Sequence, residues 1–220
     1  MVMPAGTLAR LFRWSFSMTD KPFAESCERN RDPILAALGP LLSDARQVLE
    51  IGSGTGQHAV YFAAALPQLV WQASDHPDHL PGMRLWLDEA GLANTPPPIA
   101  LQSVPGLGLQ PPLAAGRFDA VFTANTLHIM SWPAVCALLD SVAALLPVGG
   151  LFIAYGPFKR DGDFTSASNA AFDGWLRARD PASGIRDREA IDAHAQPLGL
   201  QRTHSIALPA NNELLVWQRR

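Results

Sequence analysis

Glu50-Ile51-Gly52-Ser53-Gly54-Thr55-Gly56 stands between a short apolar run and an alanine-rich stretch. Glycines at this spacing let the main chain turn tightly and let a ligand lie directly on the backbone. Asp75 follows 23 residues after Gly52. A carboxylate there can accept both hydroxyls of a ribose, as the acid about 20 positions on does in dinucleotide sites. The nicotinamide fingerprint G-x-G-x-x-G needs a third glycine at 57, where this chain has Gln57. The glycines alone also read as a plain turn, and Asp75 alone as a cap. Loop, acid and strand order agree on a ribose-bearing ligand.

The elements that must position these groups alternate. Asp32-Pro33 begins a helix carrying Ile34, Leu35, Leu38 and Leu42 at helical spacing. Arg46 to Ile51 reads as a buried strand, and His58 to Leu66 as the helix after the glycines. Leu69 to Ser74 is a second strand, and a helix around Met83 to Ala90 closes on Gly91. Ile99 to Gln102 reads as a third strand, and the Pro- and Gly-rich Val104–Gly116 as a long surface connection. Phe118–Ala124 and Leu151–Tyr155 are the fourth and fifth strands, around a helix from Pro133 to Leu146. Helical stretches at Ser168–Ala178 and Asp187–Ala195 lead to strands Leu200–Leu208 and Glu213–Gln218, joined through Pro209-Ala210-Asn211-Asn212. Strand–helix alternation implies parallel units with right-handed crossovers, and the short last connection permits only an antiparallel hairpin.

This α/β order, a mostly parallel sheet with a C-terminal antiparallel hairpin, resembles the Rossmann-like class I methyltransferase fold. The acid-x-G-x-G-x-G spacing resembles the first motif of that class. The resemblance implies S-adenosyl-L-methionine as cofactor, with Glu50 near its amino group and Gly52, Ser53, Gly54 and Gly56 along its amino-acid and ribose portions. Asp75 would take the ribose. Many such enzymes place an acid after the third strand for the adenine amino group; here Gln102 and Ser103 stand there and the carboxylate is missing.

A wider set of segments is similar to the methyltransferase-like 26 family, a bacterial domain of unknown function. They are Lys21-Pro22-Phe23, Glu25 to Asn30, Leu49 to His58, Tyr155-Gly156-Pro157-Phe158, Ser168-Asn169 with Phe172-Asp173, Gly184-Ile185-Arg186-Asp187, and Pro209 to Asn212. The likeness runs from about Thr19 to the C-terminus. It implies a methyltransferase fold with an unassigned methyl acceptor.

In an open α/β sheet, ligands bind beyond the carboxyl ends of the strands. Asn125–Trp132, Gly156–Arg160 and Pro209–Asn212 gather at that edge, and Glu25–Arg31 can fold over it as a lid. His128 is the candidate general base, or else a ring that bonds backbone or packs under the cofactor. Tyr155, the other candidate catalytic residue, and Phe158 can wall the pocket and face a sulfonium, or pack in the core. Asn125 is a cofactor candidate, and Asn211 and Asn212 can orient a polar acceptor or simply shape a turn. Arg29 and Asn30 are candidates for an acceptor carboxylate, or solvate a helix start. His76 and His79 beside Asp75 and Asp78 lack further ligands, so no metal is expected.

The 220 residues suit one domain, at residues 18–220. Residues 1–17 read as a leader or as the product of an over-early start codon. A net charge of −3 without a basic run disfavours nucleic acid or an anionic membrane and favours a small-molecule acceptor. Two distant cysteines and no apolar span fit a cytoplasmic protein. The function expected is small-molecule methyl transfer. The rival is a non-catalytic protein of the same fold that binds the cofactor or a partner.

Overall fold

The computed structural model describes residues 21–220; the expected leader lies outside them. Seven strands form the main sheet: β1 (Gln47–Ile51), β2 (Val70–Asp75), β3 (Ile99–Ala100), β6 (Ala120–Ala124), β7 (Leu151–Gly156), β11 (Leu200–Leu208) and β12 (Asn212–Arg219). A hairpin of β4 (Gln102–Val104) and β5 (Gly108–Gln110) lies outside the sheet. A small sheet joins β8 (Phe158–Arg160), β9 (Asp163–Phe164) and β10 (Arg186–Asp187). The helices are α1 (Glu25–Leu41), α2 (Gln57–Ala65), α3 (Leu80–Ala90), α4 (Trp132–Leu145), α5 (Ala167–Arg179) and α6 (Arg188–Ala195).

The main sheet runs β11-β12-β7-β6-β1-β2-β3. β3, β2, β1, β6 and β7 are parallel, and β12 and β11 are antiparallel additions. Successive strand residues face opposite sides, and both sides are covered. On one, Val48, Trp71, Phe122, Ile153 and Val216 meet Ile34, Leu38, Phe62 and Met83 of α1, α2 and α3. On the other, Leu49, Val121, Phe152, Leu215 and Trp217 meet Val135, Leu138, Val142 and Ile191 of α4 and α6. Burial on both faces is why these strands read as continuous apolar runs rather than as alternating ones.

Three expectations need correction. α1 begins at Glu25, not at Asp32, with Pro33 and Pro40 inside it. Its start is held by a tertiary bond, Ala24 N donating to Gln57 Oε1 at 2.6 Å, in place of a capping side chain. The third strand leaves the sheet after Ala100, because Ser103 Oγ donates to Ala134 O and Leu109 N to Ser141 Oγ, drawing the β4–β5 hairpin onto α4. The connection after Val104 is therefore partly ordered as β5.

Phe122 packs edge-on against both Phe62 and Trp71, with ring centroids 5.7 and 5.8 Å apart. Phe122→Ala empties the centre of that cluster and should cost about 3–5 kcal/mol of stability. Urea denaturation checks this; a loss under 1 kcal/mol would mean that the cluster re-closes.

Candidate functional site

The glycine loop leaves β1 and is tied at once to β2. Gly52 N and Ser53 N both donate to Ser74 O at 3.0 Å, and Ser74 N returns a bond to Ser53 Oγ. Gly52 has φ +74°, and a Cβ there would lie 2.6 Å from Thr126 Oγ1, so only glycine lets the loop pass the chain after β6. Gly54 differs: a Cβ there would meet nothing within 4 Å, so its backbone is bare toward the sheet edge. Gly56 precedes α2 in the left-handed region and packs on Met83.

Asp75, at the end of β2, reaches this loop. Its Oδ2 accepts from Gly54 N at 2.7 Å, and its Oδ1 accepts from His76 N at 2.6 Å. His79 Nδ1 lies 2.8 Å from Oδ1, an arrangement that raises the imidazole pKa. The carboxylate is thus oriented from three sides beside the half-buried backbone of Gly54.

Glu50 lies beneath the loop, 1% exposed. Trp71 Nε1 donates to its Oε2 at 2.9 Å. Burial pushes its carboxyl up to about 7, against the hydrogen bonds from Trp71 and Ser53, and the charge of Asp75 adds to the rise. Cys27 of α1 lies within reach of this charge, and burial pushes its thiol up to about 12.

α1 covers the loop from above. Gln57 Oε1 accepts from Ala24 N and from Thr55 Oγ1, while Gln57 Nε2 donates to Glu28 Oε1 at 3.0 Å. His58 Nε2 stands 2.7 Å from Asn30 Oδ1. Burial holds the His58 imidazole down to about 4, so it is neutral at pH 7. The buried Tyr155 hydroxyl lies beside the side chains of Asn30 and Asn212, bringing α1, β7 and β12 together. Burial raises its pKa and keeps it protonated.

His128 lies beyond β6, 6% exposed. Its ring meets Phe172 of α5 edge-on at 5.3 Å. A Cβ at Gly156 would be 3.6 Å from His128 Nδ1 and 3.8 Å from Asn125 Oδ1, so His128, Asn125 and Gly156 converge. Asn125 sits at φ +57°, its N–H bonded to Tyr155 O at 2.8 Å. Burial, then the charge of Arg186, holds His128 down to about 4. A ring held at that value is neutral near pH 7, so as the expected general base it would be a weak one.

Other expected residues are placed elsewhere. Gln102 is exposed on β4, and Ser103 Oγ donates to Ala134 O of α4, so both stand just outside the main sheet beyond β3. Arg29 pairs with Glu25 in solvent. Phe158 is 2% exposed and belongs to the core cluster on the α4 and α6 side of the sheet. Asn211 tethers α5 through its carbonyl, which accepts from Asn169 Nδ2 at 3.0 Å, and with Asn212 it lines a cleft of about 640 Å³ beside Arg160, Phe164 and Thr165. Among the described residues, no three His, Cys, Asp or Glu side chains converge as a metal site. No described helix is long and apolar enough to cross a membrane. Gln57, His58 and Thr126 were not singled out as site residues. Gln57 occupies the place where a nicotinamide motif has glycine, and only that oddity marked it.

Sheet order, closing hairpin and glycine loop define the class I S-adenosylmethionine-dependent methyltransferase fold. The S-adenosylmethionine-dependent methyltransferase SibL superposes with a TM-score of 0.73 at 24% identity, over 88% of this chain and 55% of that one. PigF, solved with S-adenosylhomocysteine, gives 0.71 at 18%, over 89% and 64%. Human N-acetylserotonin methyltransferase, solved with S-adenosylmethionine, gives 0.71 at 14%, over 89% and 53%. The chain spans less than two thirds of the length of each. Residues 21–219 match the family described as protein of unknown function DUF938, and the chain belongs to that family.

Glu50 offers a direct check. Its folded pKa lies above its unfolded value, so between about pH 4.5 and 7 the native state holds the extra proton. Its contribution to stability is then present below that window and lost as pH rises through it. Relative to Glu50→Gln, the wild type should lose about 3 kcal/mol between pH 4.5 and 7.5. Urea titrations across that range measure the difference, and a flat one would show that Glu50 does not titrate there.

Proposed function

We propose that this protein is an S-adenosylmethionine-dependent methyltransferase acting on a small-molecule acceptor in the cytoplasm, of the methyltransferase-like 26 kind that its motifs resemble. The observation that carries the reading is the bare Gly54 backbone facing the three-point-oriented carboxylate of Asp75. A ribose fits alongside them, because Asp75 Oδ2, which accepts from Gly54 N, keeps a lone pair for a hydroxyl. A cationic amino group fits beside Glu50, whose carboxylate it would help to ionise.

When bound, S-adenosylmethionine supplies a sulfonium-activated methyl group. The chain's own part is alignment, which for ideal positioning supplies about 7–11 kcal/mol. Asn30, Tyr155 and Asn212 orient the acceptor, and Asn125 and His128 border the point of transfer. Neutral His128 acts there as a hydrogen-bonding group, which suits an acceptor whose nucleophilic lone pair is already free. That same low basicity favours a second reading, a non-catalytic protein that binds the cofactor, because an acceptor needing deprotonation would find only a weak base in His128.

Calorimetric titration with S-adenosylmethionine, S-adenosylhomocysteine and NAD tests the first step. Both adenosyl ligands should bind and NAD should not; failure of both would overturn the proposal. Asp75→Ala should weaken adenosyl binding by about 1–3 kcal/mol. Turnover with a panel of small acceptors then separates enzyme from binder.

A further inference from the structure

One segment, Ser183-Gly184-Ile185-Arg186, holds the chain that carries His128. Four consecutive carbonyls of that chain each accept a hydrogen bond from it. Arg186 Nε donates to Leu127 O at 3.1 Å, Gly184 N to His128 O at 2.8 Å, and Ser183 Oγ to Ile129 O at 3.2 Å. The other arm of the Arg186 guanidinium donates to Met130 O and, at 2.9 Å, to Ala182 O.

The clamp is itself braced. Ile185 N donates to Asp173 Oδ1 at 2.7 Å, and Arg177 Nε donates to the other oxygen of Asp173 at 2.7 Å, fixing the segment to α5. Gly184 lies at φ +149°, and a Cβ there would stand 2.6 Å from an Arg177 guanidinium nitrogen. Any side chain would press on the Arg177 guanidinium and on Asp173 Oδ1, and the backbone angle favours glycine. Asp187 then caps α6, its Oδ1 accepting from Ala190 N at 3.1 Å.

Carbonyls turned inward at a loop need donors. A planar guanidinium can serve two of them at once with fixed geometry, which an ammonium cannot. The arrangement leaves the His128 ring against Gly156, Asn125 and Phe172 with little freedom to turn.

We infer that Ser183–Arg186 is a clamp that fixes the Leu127–Met130 loop, with Arg186 the positioning residue for His128. The clamp stands on geometry alone; that His128 thereby faces a methyl acceptor rests on the proposed function.

The test uses the full chain with Arg186→Gln, Arg186→Lys and Ser183→Ala. Amide hydrogen exchange is read at Ile129, whose N–H bonds Thr126 O, and at Gly184, whose N–H bonds His128 O. Arg186→Gln should speed exchange at both about 10- to 100-fold and Ser183→Ala about five-fold, while amides of β1 and β2 stay unchanged. Arg186→Lys, serving fewer carbonyls, should fall between.

Histidine nuclear magnetic resonance supplies a second readout. The His128 ring should stay silent between pH 5 and 8 in the wild type, as its value of about 4 requires. Its value should rise in Arg186→Gln, which loses the charge and frees the loop around the buried ring, and rise less in Arg186→Lys, which keeps the charge. Equal exchange in all variants, or acceleration spread through the whole sheet, would overturn the clamp. If Arg186→Gln does not fold, Arg186→Lys and Ser183→Ala decide the matter.

S-adenosylhomocysteine affinity, measured on the same proteins, should change by no more than about two-fold, because the clamp does not touch the glycine loop. A wild type that binds no S-adenosylhomocysteine would remove the methyltransferase reading, and the exchange data would still judge the clamp.

Discussion

The turn from β1 into α2 is the constraint on which the site depends. Within a few residues, Gly52 and Ser53 share the Ser74 carbonyl, and the Ser74 hydroxyl bonds Glu50 O at 2.6 Å. Thr126 closes on Gly52 from the β6 side. The ends of three neighbouring strands are thereby fixed to one piece of main chain. A ligand seated there meets backbone, so the surface that receives it has few side chains that can move. Position is set by the sheet, which packs on both faces and resists small displacements.

Electrostatics at this edge follow from the same burial. The Glu50 carboxyl is pushed up to about 7, and the His58 and His128 rings are held down to about 4, so all three are driven toward neutrality. The two kinds of group act in opposite directions on stability. The buried imidazoles cost stability as pH falls from 6.5 toward 4, because the unfolded chain binds protons that the native one refuses. Glu50 acts the other way at higher pH. The floor under the loop holds an acid that takes hydrogen bonds from Trp71 and Ser53.

Much of the fold was legible because its parallel strands are short apolar runs closed by glycine or by an acid, with helices between. β11 was read with its observed limits, and α4 within a residue at each end. What escaped the sequence depends on partners far along the chain. The start of α1 lacks a capping residue and passes through Pro33; Gln57, 33 positions from Ala24, supplies the acceptor that holds it. β4 continues the pattern of a third strand, yet α4 captures it through Ser103 and Ser141, and no local window contains both sides. His128 was visible as a polar residue after β6. Its low basicity was not, since that comes from burial beneath α5 and from Arg186, both distant in sequence.

The two halves of the site are built differently, and Gln57 joins them. The half proposed for the cofactor comes from one β–α–β stretch between Glu50 and Asp75, whose two ends meet across 21 residues, with Thr126 closing on Gly52 from the β6 side. The half proposed for an acceptor is assembled from α1, the chain after β6, the end of β7 and the β11–β12 turn, so its shape depends on how several remote elements seat. Gln57 receives the start of α1 through Ala24 N, is steadied by Thr55, and donates back to Glu28. A glycine at that position would leave the loop intact and α1 without its anchor. Asn30 and its approach to Tyr155 would then lose their support. The residue that breaks the nicotinamide pattern is thus the one that fastens the start of α1 over the glycine loop.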